Sequence, residues 1–180
     1  MLLSYNELVK LVDSGVISAP IKNINGSSID LTLHHIIRRE VIGSSLKTIK
    51  LYKCESINTE EIDMLDNGEY VMMPDSVLLG ATVECFNMPL DLSAEFSLKS
   101  TLGRNYLEHM LAGWIDPGFN GTLTLELKNG TQFHKLAIAP GMKIGQVKFF
   151  RHSLVPNDES YVVKGQYNGQ IKVTPSKGIR

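Results

Sequence analysis

The sequence is short of several features that would assign a chain to a special class of protein. Its 180 residues include two cysteines, Cys54 and Cys85, so a disulfide framework is not expected and a reducing compartment fits. No window approaches about eighteen apolar residues, and the first residues lack a basic region followed by an apolar stretch. We therefore expect a cytoplasmic protein with no membrane partner.

An excess of charge of one sign is also lacking. The formal net charge is −1, and no run of lysine or arginine forms the stripe that binds a phosphate backbone. Polymeric nucleic acid is therefore not an expected partner, whereas a small anionic ligand needs only a few local cations. Hydrophobic residues make up 43% and charged residues 21% of the chain, which favours an ordinary folded domain over disorder.

Hydrophobic patterning predicts one helix followed by a mainly β chain. Ser4 and Glu7 have the spacing of a capping box, and apolar residues then recur at helical intervals up to Gly15. Beyond Gly15, alternating segments between turn residues predict strands at 28–34, 70–73, 77–86, 94–98, 122–127, 136–139 and 144–150. Such strands indicate a sandwich or barrel.

The predicted domain covers residues 1–154. The remaining stretch, 155–180, is rich in Asn, Gly, Gln and Lys, a composition typical of a mobile tail.

Polar residues cluster in and before the strand predicted at 122–127. Ser100 and Arg104 are four residues apart, so a helical turn would present both as phosphate donors, although a capped turn with an exposed arginine fits equally well. Glu126 lies on the polar face of its strand, which is either solvated or part of a site. Asp116, in a Gly- and Pro-rich loop, is either a turn residue or a second functional carboxylate.

Metal ligands are not apparent. The five histidines show no ligand spacing with the cysteines, and the His-x-Glu and Pro-Cys-x-x-Cys signature of zinc-dependent nucleobase deaminases is absent. No zinc site is predicted, so hydrolysis here would need a carboxylate base. Each histidine is expected to be structural or superficial.

Three segments in combination resemble the signature of the dCTP deaminase family. They are Lys99-Ser100-Thr101-Leu102-Gly103-Arg104, Ala112-Gly113-Trp114-Ile115-Asp116-Pro117-Gly118-Phe119 and Leu123-Thr124-Leu125-Glu126-Leu127. The resemblance extends to 25–31, 140–146, 166–170 and 173–176, and it is weakest over 38–67.

This resemblance implies a fold and an activity. The fold is a distorted, jelly-roll-like β-barrel of the dUTPase type with one N-terminal helix, assembled as a homotrimer with active sites between subunits. The activity is the zinc-independent deamination of dCTP, bound as its Mg²⁺ complex, to dUTP and ammonia, which supplies a dTTP precursor.

The resemblance also implies roles for individual residues. Glu126 matches the catalytic glutamate, with Ser100 and Arg104 as the active-site serine and arginine, and Ala112 presents its backbone to the water and cytosine. The residues implied to contact substrate are Lys99, Thr101, Ala112, Trp114, Asp116, Gln146, Tyr167 and Gln170. Tyr167 and Gln170 belong to the tail, which closes over the site.

Two departures from the family pattern stand out. Lys99 occupies a position where many relatives have arginine, and lysine cannot reproduce a bidentate fork. Gln166 stands where a lysine usually precedes the tyrosine, so Lys164 or Lys172 could supply the missing charge.

The loop at Gly113 and Trp114 resembles relatives that also cleave dUTP to dUMP and pyrophosphate. Glycine there either leaves room for a second water, which Asp116 could orient, or only permits the turn. The competing hypotheses are a dUTP pyrophosphatase without deaminase activity and a non-catalytic trimeric nucleotide-binding module. The presence of Ser100, Arg104 and Glu126 together favours the deaminase.

Overall fold

A computed structural model describes residues 1–178, which begin with the predicted capped helix, α1 (Tyr5–Asp13). The Ser4 N–H donates to the Glu7 carboxylate at 3.0 Å, and the Ser4 hydroxyl donates to the same oxygen at 3.1 Å. Leu8 and Leu11 face the interior. The capping-box prediction is confirmed.

The rest of the described chain is mainly strand. The strands are β1 (Ile29–Thr32), β2 (Ile36–Glu40), β3 (Thr59–Asp63), β4 (Tyr70–Met72), β5 (Val77–Asn87), β6 (Leu92–Leu98), β7 (Leu107–His109), β8 (Trp114–Ile115), β9 (Asn120–Asn129), β10 (Leu136–Ile138) and β11 (Lys143–Arg151). Single helical turns are α2 (Ser100–Gly103) and α3 (Tyr161–Lys164), and the 3₁₀ turns are Ile21–Asn23, Leu51–Lys53, Met64–Asp66 and Asn157–Glu159. None of the described helices has the length and apolar character needed to span a bilayer.

The strands pair in three sheets around one core. Their orders are β1-β11-β6-β8, β10-β4 and β3-β2-β5-β9-β7, and all the pairs are antiparallel. Phe86 lies between Phe119 and Phe149, with ring centroids 6.4 Å away on each side. The mainly β class is confirmed, but the pairing among residues 1–178 forms separate sheets and does not close into the predicted barrel.

All seven predicted strands coincide with observed ones, whereas β2, β3, β7 and β8 were not predicted. The sequence of β2 and β3 carries charge instead of alternation. Arg38 and Arg39 lie opposite Glu61 and Glu60 in the register, with ion pairs at 3.2 and 2.6 Å. Opposite charges facing each other across two strands stabilise the pairing, in addition to the buried Ile36 and Ile37 at the start of β2.

Strand β1 differs from its predicted half-buried pattern. Ile29, Leu31 and Leu33 are fully buried, as expected, but Ser28 and Asp30 on the polar face are also buried. Lysine side chains cover Asp30, so the polar face is enclosed by charge pairing.

The tail packs against the domain as far as residue 178, and residues 179 and 180 lie outside the described part of the chain. Ser160 and Val173 are buried, and Val173 packs with Ile36 and Ala81. Mobility of the tail stays a prediction.

Candidate functional site

A cleft of about 160 Å³ opens between the loop around β8, the first half of β9 and the tail. Its lining residues are Ala112, Trp114, Ile115, Asp116, Phe119, Leu123, Thr124, Tyr161, Tyr167, Gln170 and Thr174. Five of the predicted site residues are therefore brought together, from two segments that are distant in sequence.

The loop wall of the cleft is held by close packing at Gly113. The Phe96 N–H donates to the Gly113 carbonyl at 2.7 Å, and a Cβ at position 113 would lie 2.8 Å from the Phe96 carbonyl oxygen and 3.5 Å from His109 Cε1. Glycine is required for this approach. Phe96 and His109 border the position where a side chain would stand, which favours the packing role of Gly113 over the hypothesis of room for a second water.

Trp114 and Asp116 are bound to each other on this wall. The Trp114 indole N–H donates to Asp116 Oδ1 at 3.1 Å, and the indole stacks near Phe150 with centroids 6.3 Å apart. Asp116 is thus a positioned carboxylate at the edge of the cleft.

Glu126 lies on β9 beside a histidine that sequence reasoning had assigned no role. Glu126 Oε2 is 3.5 Å from His109 Nε2, and the side chains are 30% and 4% exposed, respectively. This separation is too long for a good hydrogen bond, and both atoms are buried without a hydrogen-bond partner among the described residues. Uncommitted polar atoms of this kind are unusual in an interior and leave the carboxylate available to accept a proton.

His109 was missed because its strand was missed. It lies on β7 opposite Leu127 of β9, and Phe96 packs edge-on against its ring at 4.8 Å. The only sequence signal was its position three residues before Ala112, which predicts nothing without the pairing of β7 and β9.

The tail reaches the cleft by bonding to the first residues of β9. The Thr122 N–H donates to the Gln170 carbonyl at 2.8 Å, and the Gln170 amide donates to the Thr122 carbonyl at 2.6 Å. Gly169 and Asn168 bond similarly to Asn120 at 2.7 Å. In this conformation the amide nitrogen of Gln170 is bound to β9.

Lys177 supplies the cation beside Tyr167. Its ammonium lies 5.2 Å from the Tyr167 ring centroid and donates to the Gln166 carbonyl at 2.7 Å. Of the two lysines predicted to compensate for Gln166, Lys164 is paired with Glu159.

The other predicted residues lie outside the lining of the cleft. Ser100 and Arg104 are one helical turn apart, because the Arg104 N–H donates to the Ser100 carbonyl at 2.9 Å, and both are exposed. Gln146 accepts a hydrogen bond from Ser28 at 3.1 Å. Lys99, Thr101 and Glu126 likewise do not line the cleft.

The dCTP deaminase-like family model matches residues 2–152. This chain belongs to the dCTP deaminase-like family. A relative named "dCTP deaminase, dUMP-forming" from Corynebacterium jeikeium is 36% identical over 98% of this chain and 96% of its own. A relative of the same name from Corynebacterium glutamicum is 35% identical over 98% and 96% of the two chains.

A solved structure supports the same fold. The 2′-deoxycytidine 5′-triphosphate deaminase from Agrobacterium tumefaciens superposes with a TM-score of 0.65 and 20% identity, covering 88% of this chain and 50% of that one. No three His, Cys, Asp or Glu side chains of residues 1–178 are grouped to hold a metal ion.

Proposed function

We propose that this protein deaminates dCTP by hydrolysis and then cleaves the product to dUMP and pyrophosphate. The observation that carries the proposal is the uncommitted carboxylate of Glu126, half-buried beside His109 within the family signature. The names of the full-length Corynebacterium relatives support both the substrate and the dUMP product.

In the first reaction Glu126 handles the proton. It accepts one proton from water as the water oxygen adds to C4 of cytosine and passes this proton to N3. It then takes the proton of the new C4 hydroxyl and gives it to the exocyclic nitrogen, so that the C4–N bond breaks, ammonia leaves and the C4 carbonyl of uracil forms. In the second, water adds to the α-phosphorus and pyrophosphate leaves. Asp116, bound by Trp114 at the cleft edge, is our candidate for orienting that water. The Mg²⁺ ion belongs to the triphosphate substrate.

We infer that a homotrimer completes the site. The separation of the α2 residues from the cleft lining supports this arrangement, because Ser100 and Arg104 of one copy can then approach the cleft of the next. Closure of the tail over the bound nucleotide would exclude bulk water and strengthen the polar contacts.

A single-turnover assay with Mg²⁺ and dCTP tests the reactions, with ammonia, dUTP, dUMP and pyrophosphate followed separately. We expect ammonia and pyrophosphate to appear with dUMP. Accumulation of uncleaved dUTP would contradict the second reaction, and release of pyrophosphate from dUTP without deamination of dCTP would identify a dUTP pyrophosphatase. Binding without any product would leave a nucleotide-binding module.

A mixing experiment tests the shared site. Ser100→Ala and Glu126→Gln are each expected to be inactive alone, but mixed trimers regain activity if the two residues act from different copies. Absence of recovery in trimers shown to be mixed would contradict a site between subunits.

A further inference from the structure

A buried carboxylate on β1 holds two lysines side by side. Asp30 Oδ1 accepts from Lys99 at 2.7 Å and from Asn25 at 2.8 Å, while Asp30 Oδ2 accepts from Lys143 at 2.9 Å. Asp30 is buried at 4% exposure. Lys99 follows the end of β6 and Lys143 begins β11, and the Asp30 carboxylate joins their side chains. These two residues are called the lysine pair below.

The charges in this cluster do not cancel. Burial raises the pKa of Asp30, but the bonds from Lys99, Lys143 and Asn25 outweigh it and lower the pKa overall, so Asp30 is ionised at neutral pH. One negative charge therefore faces two ammonium groups, leaving a net positive charge.

The lysine pair also retains unused donors. Each ammonium has three N–H groups, and each is recorded with one acceptor, Asp30, within residues 1–178. The side chains of Lys99 and Lys143 are 30% and 50% exposed. Their remaining donors can reach an external anion.

The lysine pair lies next to residues that are predicted to contact the substrate. Lys99 directly precedes Ser100 and Thr101, and the Lys99 N–H donates to the Ile144 carbonyl at 3.2 Å, which fixes its backbone against β11. Asp30 is opposite Gln146 in the register of β1 and β11. Lys99, Lys143 and Gln146 therefore share one neighbourhood.

The bonds from Lys99 and Lys143 to Asp30 compensate for the absence of arginine at position 99. An isolated lysine is a flexible point charge and loses side-chain entropy when it binds phosphate, whereas arginine offers a planar fork. Two lysines fixed by one carboxylate present two charges whose positions are set before the ligand arrives.

We propose that Lys143 is a further phosphate-binding residue and that Asp30 is a positioning residue which holds Lys99 and Lys143 as a cationic pair for the polyphosphate chain. The identity of the nucleotide in this proposal rests on the proposed function, whereas the binding of polyphosphate by the lysine pair does not.

Equilibrium binding to full-length protein in the Glu126→Gln background tests the pair without turnover. The ligands are dCMP, dCDP, dCTP and inorganic tripolyphosphate, each with Mg²⁺. Lys143→Met should weaken dCTP and tripolyphosphate binding on the order of 10-fold, with a smaller effect on dCMP. Lys148→Met is the matched control, because Lys148 is on the same strand but paired with Glu95 at 2.9 Å.

A double-mutant comparison tests the role of Asp30. Asp30→Asn should weaken tripolyphosphate binding in the parent, and this loss should largely disappear when Lys99 and Lys143 are both methionine, because the carboxylate acts through them. Should Asp30→Asn fail to fold, the exposed Lys143→Met variant still decides the matter.

The outcomes separate the two proposals. If Lys143→Met and Lys148→Met bind dCTP and tripolyphosphate with equal affinity, the proposal that the lysine pair binds polyphosphate is wrong. It is also wrong if Lys143→Met loses as much affinity for dCMP as for dCTP. If the lysine pair binds tripolyphosphate but the parent enzyme releases no ammonia from dCTP, the lysine pair stands and the proposed deamination fails.

Discussion

Replacing Gly121 with alanine would place a methyl group where the tail now docks. The new Cβ would lie 2.2 Å from the Gln170 carbonyl oxygen and 3.0 Å from its nitrogen, both backbone atoms that cannot rotate away. Gly121 also has a φ of +131°, a conformation that alanine adopts only with strain. The tail must therefore shift away from β9.

The expected magnitude follows from the bonds that would be lost. Docking at this point uses the two bonds between Thr122 and Gln170, the bond from the Gly169 N–H to the Asn120 carbonyl and the bond from the Asn120 N–H to Asn168 Oδ1. At about 1 kcal/mol net for each bond, and less where solvent replaces it, docking should weaken by roughly 2–4 kcal/mol. The ratio of docked to undocked tail would fall by about 30- to 1,000-fold.

Hydrogen exchange at the Thr122 amide, together with trypsin cleavage after Lys172 and Lys177, measures this opening. We expect faster exchange and faster cleavage in Gly121→Ala, with kcat for dCTP reduced in parallel. Gly26→Ala is the control, because its Cβ would meet nothing within 4 Å. Unchanged protection of Thr122 with normal turnover would refute the assignment of this contact as the docking point.

Three further outcomes are expected. Glu126→Gln should lose deamination by about 10²–10⁴-fold with nucleotide binding largely retained; turnover near that of the parent enzyme would remove Glu126 from its role. Activity should survive a zinc-selective chelator and require Mg²⁺ with the triphosphate, and stoichiometric zinc in active protein would contradict this. Burial raises the pKa of Glu84 despite bonds from Thr32, so its ionisation removes stability as pH rises above about 4.5. Denaturant unfolding should therefore show that the parent loses stability relative to Glu84→Gln as pH rises above about 4.5, and a difference that does not change with pH would argue against a raised pKa.

The elements that sequence patterning predicted are those with a clear hydrophobic pattern. Strands β9 and β11 alternate apolar and polar residues over most of their length, β5 begins with an apolar run, and α1 carries its capping box. Their existence and type follow from local side-chain chemistry.

The elements that escaped prediction depend on partners. Strands β7 and β8 have three and two residues and lack the run of three apolar residues that marks the equally short β4 and β10. They exist because β9 and β6 offer backbone bonds. Strands β2 and β3 carry mostly charged residues beyond the buried Ile36 and Ile37, so they show no apolar alternation, and their ion pairs become visible only with the register.

The candidate site likewise contains residues that the sequence identifies and neighbours that only the structure shows. Glu126, Ser100, Arg104 and Asp116 were identified from the family signature, and the turn joining Ser100 to Arg104 also follows from spacing. The neighbours of site residues, His109 beside Glu126 and Lys143 on Asp30, become visible only through contacts between separate strands.

The charge pairs of β2 and β3 also affect how molecules meet at high concentration. Strand β3 is the outermost strand of the five-stranded sheet, and an unpaired strand edge is a template for addition of a foreign strand. Glu60 and Glu61 flank that edge and are already bound to Arg39 and Arg38. An incoming apolar segment would have to strip water from these ions while offering no charge in return, which disfavours strand addition at this border of the sheet.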